Sequence, residues 1–309
     1  MINPEQQSHD KISYCVEPED QGHTIKQFLR KKWHISGRLL SRLKKEAGVS
    51  VNGVWSPFHA KLREGDILLL NMKEEACNFE PQDLPFEVLY EDEDVLVVNK
   101  PPGMLTHPST NKRDGTLANA ITHFMISRNE IYKVRFANRL DMDTSGVMIV
   151  AKNAFSHHLL MLQMSQNQMV KTYRAFVCGC LRTSVGEIDA PVYRQENLPE
   201  DEPPRRIVDQ RGKHAVSRFW VEKRYKQASL LRLVIETGRT HQIRVHMNHI
   251  GHPVIGDTFY APEQVELISR QALHAAEIEF NQPRYGTRIH VTAGFPEDLL
   301  ELERKLEKR

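Results

Sequence analysis

Apolar residues recur with two different spacings along the chain, and each spacing predicts a different kind of element. From Thr24, apolar positions three and four residues apart predict two short helices, around Ile25–Leu29 and Leu39–Leu43, with basic residues between the apolar ones. The next stretch, VSVNGVW, alternates instead, and its Asn-Gly pair is typical of a β-hairpin turn. A further turn and strand are predicted in LREGDILLL. This part of the chain therefore predicts a compact module of two helices and a small sheet.

The later part of the chain predicts a larger mixed domain. Alternating or continuous apolar runs predict strands in FEVLY, DVLVVNK, GVMIVAKN, KTYRAFVCG, HAVSRFWVEKRY, SLLRLVIET and GTRIHVTAGFP. Helical spacing predicts helices over 116–127, capped by Thr116, and over 154–168. A third helix is expected in GRTHQIRVHMNHIG, with Thr240 as its cap and Gly251 at its end. Residues 194–206 are charged and rich in proline, which predicts a loop or an insertion.

These elements predict an α+β, or mixed α/β, fold in two parts. We expect a small helix-plus-hairpin domain at residues 11–73, a linker at 74–84, and a second domain at 85–309. Neighbouring strands in the second domain are joined like hairpins, so its sheet should be mixed and mainly antiparallel, with flanking helices. A length of 309 residues also favours two domains over one.

Charge is unevenly distributed along the chain. Overall, 42 Lys and Arg residues nearly balance 40 Asp and Glu residues. Between His23 and Arg63, however, ten basic residues accompany a single acid, Glu46. Such a concentrated basic surface is typical of phosphate binding, although a solvated face without a partner stays open as the alternative.

The cysteines and the apolar runs bear on the compartment. The four cysteines show no paired C-x-x-C spacing, which favours reduced thiols. No apolar run reaches the roughly 18 residues that a membrane span needs, and the first residues are polar. We therefore expect a soluble, cytoplasmic protein without membrane anchoring, and a monomer as the default.

The stretch NRLDMDTSG contains two carboxylates, Asp141 and Asp143, that compete for a chemical role. In an extended strand they would point the same way, about 7 Å apart between alpha carbons, which is compatible with a paired-acid hydrolase. Asp-Thr-Ser-Gly favours a turn instead, because Asp and Ser side chains bond their own backbone. In a turn either aspartate could be purely structural, so residue types alone leave the choice open.

Two resemblances change the interpretation of these patterns. Residues 22–72, with VSVNGV and KLREGDIL, resemble the S-four-type RNA-binding module found ahead of many RNA-modifying enzymes. NRLDMDTSGVMIVAKN resembles the signature of the RluA-type pseudouridine synthases, in which Arg-Leu-Asp precedes Thr-Ser-Gly. The likeness extends in order to VNKPPGMLTHP, KTYRAFVCG, GKHAVSRF, TGRTHQIRVHMNHIGHPVIGDTFY and LHAAEIEF, and so covers most of the second domain.

The second resemblance implies roles for single residues. Asp141 matches the catalytic aspartate, whereas Asp143 falls on a variable position. Tyr173 matches an active-site tyrosine, Arg244 the basic partner of the aspartate, and Arg139 an arginine implicated in rearranging the flipped nucleotide. Further RNA contacts are expected from the same motif and from the basic module, at Arg239, His241, Lys31, Lys32, Arg38, Arg42, Lys44 and Lys45.

One position departs from the family pattern. The family often has His before Arg-Leu-Asp, and this chain has Asn138. Asparagine can still form hydrogen bonds, but it cannot titrate near neutral pH. The departure therefore puts in doubt a proton-handling role at this position, and not the role of Asp141.

The implied reaction fits these residue types. Converting uridine to pseudouridine is redox-neutral, so it needs no cofactor and no metal, only a charged carboxylate in a site that excludes water. Arg244 is the candidate that keeps this carboxylate charged, and Tyr173 can stack on the base. The histidines His241, His246, His249 and His252 could suggest a metal site, but no carboxylate or cysteine pair completes a ligand set.

The sequence thus predicts an RNA pseudouridine synthase that isomerises uridines in structured RNA. By resemblance, the expected substrate is large-subunit ribosomal RNA, with transfer RNA as the alternative. Two other classes of protein stay open. One is a nucleoside N-glycosylase that uses Asp141 and Asp143 together, and the other is a non-catalytic RNA-binding protein.

Overall fold

A computed structural model of the chain describes residues 9–73, 77–109, 113–196, 205–262 and 266–308. A small four-stranded sheet with two helices comes first, and we call it the small module. A ten-stranded sheet with four helices follows. No helix in these ranges is both long enough and apolar enough to cross a membrane.

The small module has the two helices and the hairpin that the sequence predicts. Thr24 and Ser36 cap the helices by accepting hydrogen bonds from backbone N–H groups in the first turn. Asn52 and Gly53 both have positive φ, at 51° and 80°, as a tight hairpin turn requires. The elements are β1 (Lys11–Cys15), α1 (Ile25–Lys31), α2 (Gly37–Lys45), β2 (Val49–Val51), β3 (Val54–Trp55) and β4 (Ile67–Asn71), with sheet order β1-β4-β2-β3.

The apolar core of the small module extends into the rest of the protein. Phe155 belongs to this core, although it lies in a helix that flanks the larger sheet. The rings of Trp33 and Phe155 meet edge to face at 5.6 Å between centroids. His158, one turn further on, lies 2.7 Å from the carbonyl oxygen of His34 through its Nε2. The module therefore packs directly on this helix.

The larger sheet is mixed and mainly antiparallel, as predicted. Its main path runs β10-β13-β14-β9-β15-β8-β6-β5, and β8 and β15 are the one parallel pair among the described strands. A separate hairpin, β11-β12, flanks residues 197–204, so most of the predicted charged loop lies outside the described residues. The elements are β5 (Glu87–Glu91), β6 (Val95–Lys100), α3 (Leu117–Ser127), β7 (Arg135–Phe136), β8 (Ser145–Ala151), α4 (Ala154–Ser165), β9 (Val170–Cys178), β10 (Val185–Asp189), β11 (Val192–Arg194), β12 (Arg206–Val208), β13 (Val216–Arg224), β14 (Ala228–Ile235), α5 (Gln242–His249), β15 (Leu273–Asn281), β16 (Arg288–Thr292) and α6 (Glu297–Glu307).

One predicted helix start is wrong. Thr240 does not cap α5, because the residue before the helix is His241, in the left-handed region with φ of 58° and without a side-chain cap. Gly251 does follow the helix with positive φ, as expected. The strands β1, β10 and β15 and the helix α6 were not predicted from the apolar pattern. In β15 the first four residues are all buried, and burial alternates only over the last five residues, so the alternating stretch is short.

A buried ion pair joins three parts of the fold. Arg284 donates to both carboxylate oxygens of Asp94, at 2.8 and 2.9 Å, and neither side chain is exposed. The same guanidinium donates to the carbonyl oxygen of Lys11 in β1. Asp94 also accepts from Ser156 and Asn153 at the start of α4. The pair therefore fixes α4 between the small module and the larger sheet.

Candidate active site

An open cleft contains six of the predicted site residues. Its volume is about 630 Å³. This lies within the roughly 300–1,000 Å³ of a typical small-molecule site, so the cleft has room for a single nucleotide. The predicted residues that line it are Arg139, Asp141, Tyr173, Arg239, His241 and Arg244.

The NRLDMDTSG stretch lies between β7 and β8 as a tight turn. The backbone N–H of Thr144 donates to the carbonyl oxygen of Asp141, at 3.1 Å. Asn138 has a structural place, because its side-chain amide bonds to the backbone of Val147 and Ile149 in β8. At Gly146 a Cβ atom would lie 2.2 Å from a backbone oxygen of β15, so glycine is required there. The motif residues therefore hold a turn against the sheet.

The two aspartates have different surroundings in this turn. Asp141 lines the cleft, and its side chain is 21% exposed. Asp143 is not among the lining residues, and its carbonyl oxygen accepts a hydrogen bond from Arg270. A paired-acid arrangement across one substrate therefore has no support from this geometry.

Arg244 connects Asp141 to a second carboxylate, Asp257. Its Nε and Nη2 donate to the two oxygens of Asp257, at 2.7 and 2.9 Å, while Nη1 donates to Oδ2 of Asp141 at 3.1 Å. Burial opposes the charge of Arg244, but the hydrogen bonds and charge of Asp257, together with Asp141, raise its pKa above the ordinary value. A permanent cation therefore faces the Asp141 carboxylate.

Two further side chains surround Asp141. Burial and the negative charge of Asp141 raise the pKa of Tyr173 well above its ordinary value, so this residue is a neutral phenol at pH 7. Burial lowers the pKa of His241, against the attraction of the Asp141 carboxylate. The Nε2 atom of His241 lies 3.8 Å from Oδ2 of Asp141, and Nδ1 lies 3.2 Å from the hydroxyl of Tyr260. Asp141 is thus bordered by one cation and two ring side chains.

Two buried basic side chains, Lys100 and Arg270, anchor the turn, and the sequence did not single them out for this task. Lys100 donates to the carbonyl oxygens of Pro101, Met104 and Met142, at 2.7 to 2.8 Å. Lys100 is fully buried, and its side-chain nitrogen is occupied by these three carbonyl groups. Arg270 donates to the carbonyl of Asp143, and two further bonds join it to Asp298. The two residues that follow Asp141, Met142 and Asp143, are therefore held through their backbone carbonyl groups.

The predicted basic residues of the small module do not line the cleft. Lys31, Arg38, Lys44 and Lys45 are exposed on α1 and α2. Lys32 departs from the prediction, because its ammonium is occupied by Asp20 at 2.6 Å and by Glu17 at 3.1 Å. Arg42 is engaged in part, with Glu46 and with the carbonyl oxygen of Lys73.

The four clustered histidines do not converge on one point. His246 is fully buried and bonds to Ser217 and to the carbonyl of Ala190, while His252 bonds to the carbonyl of Cys178. In the described ranges, the one group with metal-ligand spacing is Glu17, Glu19 and Asp20, and the ammonium of Lys32 already occupies it.

The Lys100 anchor predicts the behaviour of the turn. Replacing Lys100 by Met leaves buried carbonyl groups without a donor, at a cost of about 1–3 kcal/mol in the free energy of unfolding. We also expect amide hydrogen exchange in residues 138–146 to rise about ten-fold or more. Urea denaturation and exchange measurements check both effects, with exposed Lys226→Met as the control. Unchanged exchange in the turn would show that Lys100 does not hold it.

Comparison with known proteins identifies the family of this chain. A family model described as RNA pseudouridylate synthase matches residues 94–249, and one described as RluD ribosomal pseudouridine synthase N-terminal domain matches residues 14–68. The human RNA pseudouridylate synthase domain containing 1 has a similar fold, with a TM-score of 0.58 at 24% identity over 71% of this chain and 87% of that one.

Similarity to curated proteins extends over most of the chain. An uncharacterised RNA pseudouridine synthase of Bacillus subtilis, YlyB, is 34% identical, covering 97% of this chain and 99% of its own. Ribosomal large subunit pseudouridine synthase D of Vibrio cholerae is also 34% identical, over 85% of each chain. From its matching family model and from these relatives, this chain belongs to the RNA pseudouridine synthases, which are isomerases.

Proposed function

We propose that this pseudouridine synthase isomerises specific uridines in large-subunit ribosomal RNA, with Asp141 as its catalytic carboxylate. The observation that carries the proposal is the position of Asp141, which lines the cleft and is held by the buried cation of Arg244. The relatives named for the ribosomal large subunit support this RNA as the substrate. Transfer RNA is the alternative.

The reaction requires that one bond be exchanged for another at the same sugar. The bond between C1′ of the ribose and N1 of uracil breaks, the base turns, and a bond from C1′ to C5 forms. The proton on C5 is removed and N1 ends with a proton, so atoms and electrons balance without a co-reactant. Asp141 can take part as nucleophile or as base through its carboxylate group, which the guanidinium of Arg244 holds at the cleft.

Tyr173 and His241 border the space where the base would turn. Because its raised pKa keeps Tyr173 neutral, this side chain is suited to stacking and to donating a hydrogen bond, and it is a poor base. The proton on C5 therefore needs another acceptor, and Asp141 is the charged carboxylate at hand. His241, with its lowered pKa, is a neutral ring that can hydrogen-bond to a uracil oxygen.

Arg139 and Arg239 are exposed and line the same cleft. Extruding a uridine from a duplex costs a few kcal/mol. Stacking on an aromatic or guanidinium plane returns about 1–3 kcal/mol per base. We propose that Tyr173 stacks on the uracil while Arg139 occupies the space that the base leaves.

We further propose that residues 11–73 act as the S-four-type RNA-binding unit, with 74–84 as linker and 85–309 as the catalytic domain. The exposed cations Lys31, Arg38, Lys44 and Lys45 would bind phosphates at a distance from the cleft. Cytoplasmic location and a monomeric state stay predictions from the sequence.

Mapping pseudouridine in cellular RNA tests the proposed function. We expect at least one site in large-subunit ribosomal RNA to disappear without this protein and to return with the wild type. Asp141→Asn should not restore it, because the amide carries no negative charge. Asp143→Asn is the matched control and should restore it, since Asp143 contributes to the turn through its backbone carbonyl.

Other outcomes of the same map contradict the proposal. Loss of a pseudouridine site in transfer RNA, and not in ribosomal RNA, would identify transfer RNA as the substrate. Release of uracil, together with loss of activity in Asp143→Asn, would favour the N-glycosylase. A map that Asp141→Asn leaves unchanged would favour a non-catalytic RNA-binding protein.

The proposed phosphate contacts of the small module predict how the affinity for RNA depends on salt concentration. Each phosphate contact of a lysine contributes about 0.7–0.9 to the slope of log affinity against log salt concentration. A Lys44→Gln, Lys45→Gln double variant should therefore lower the slope by about 1.4–1.8. Titrations of ribosomal RNA fragments at several salt concentrations measure this slope, with exposed Lys226→Gln, Lys308→Gln as the charge-matched control. Equal slopes in the two double variants would remove α2 from the RNA contact.

A further inference from the structure

Strand β9 brings a second polar side chain into the cleft beside Tyr173. Lys171 and Tyr173 are two positions apart on this strand, so their side chains leave the same face of the sheet, and both line the cleft. Lys171 is only 6% exposed. In the part of the chain that the structure describes, no hydrogen bond or ion pair involves its ammonium group.

Lys171 is largely buried, and its Nζ atom is open to the cleft without a partner among the described residues, so its charge is only partly solvated. Desolvation of a charged group in a protein costs several kcal/mol unless an opposite charge or good acceptors compensate it. Burial accordingly lowers the pKa of Lys171. Among the described residues that line the cleft, Asp141 is the one carboxylate, and it is already bonded to Arg244. The cleft therefore contains a cation whose counter-charge the chain itself does not supply.

The position of this cation fits an RNA backbone. Side chains two apart on a strand are separated by roughly 7 Å, so Lys171 lies one side-chain position from Tyr173 along the cleft. A uracil that stacks on Tyr173 would therefore place its own sugar and phosphates within reach of the neighbouring position. A carbonyl oxygen of uracil would be a weaker partner, because a neutral acceptor leaves the lysine charge uncompensated.

We propose that Lys171 binds a backbone phosphate adjoining the extruded uridine. This inference rests on the proposed function, since it requires that a uridine enters the cleft. The contact holds the nucleotide from the sugar-phosphate side while Arg244 and Asp141 act on its reacting bond. Lys171 is thus a substrate-binding residue inside the cleft, distinct from the exposed lysines of the small module.

The test uses the full chain carrying Asp141→Asn, so that the RNA stays unreacted. The probe is a stem-loop oligonucleotide that contains the mapped uridine. Versions of it replace the phosphate 5′ or 3′ of that uridine by an uncharged methylphosphonate. Loss of a charge-assisted contact should weaken binding about ten-fold or more. We expect one of the two replacements to do so in the parent protein.

The variants then connect that loss to one side chain. Lys171→Met should bind the unmodified oligonucleotide about ten-fold or more weakly, and the methylphosphonate should weaken it no further. Lys171→Arg keeps a cation and should retain most of the effect of the replacement. Lys226→Met removes the same formal charge from an exposed site and should leave both affinities unchanged.

The possible failures are distinguishable. If neither methylphosphonate weakens the parent, the inference is overturned without any change at Lys171, so misfolding of a variant cannot obscure the result. If the methylphosphonate weakens RNA binding equally in the parent and in the Lys171→Met variant, the inference is also overturned. If the wild type forms no pseudouridine in the unmodified oligonucleotide, the proposed function fails, and the inference fails with it.

Discussion

Arg244 is a charged side chain that is almost wholly buried, and it forms ion pairs with two carboxylates, those of Asp257 and Asp141. Asp257 takes the bidentate position, and its own side chain is fully buried, so it compensates the cost of removing the guanidinium from water. An N–H of Nη1 then donates to Asp141, which is partly open to the cleft. The proposed catalytic carboxylate of Asp141 is therefore oriented by a guanidinium group that Asp257 holds in place.

The other half of the arrangement is the turn that carries Asp141. Lys100, at the end of β6, and Arg270, shortly before β15, donate to the carbonyl oxygens of the two residues after Asp141. The turn is thus anchored beside β6 and β15, the two strands that flank β8 in the main path of the sheet. Helix α4 connects the cleft to the small module, since His157 and Met161 line the cleft while Phe155 packs in the core of the small module. The packing of the small module and the lining of the cleft therefore depend on one helix.

The sequence predicted much of this architecture, and the failures have physical causes. Local spacing was enough to predict the hairpin and every described α-helix except α6, because the contacts that form these elements join residues a few positions apart. Asp141 was separated from Asp143 only by resemblance to a family, since turn chemistry left both open. No such role was predicted for Asp257, Lys100 or Arg270. Asp257 acts through its contact with Arg244, while Lys100 and Arg270 act through contacts with the turn, and only the folded structure brings these groups together. The last two lie 42 and 127 residues from the carbonyls that they bind.

The most direct test of the Arg244 arrangement is a double-mutant cycle on the single-turnover rate of pseudouridine formation. Arg244→Met removes the contact to Asp141, and Asp257→Asn removes the charge that fixes Arg244. If Asp257 acts through Arg244, the double variant should be no slower than Arg244→Met alone. Losses that multiply in the double variant would mean that Asp257 acts independently, and would contradict a single chain from Asp257 through Arg244 to Asp141.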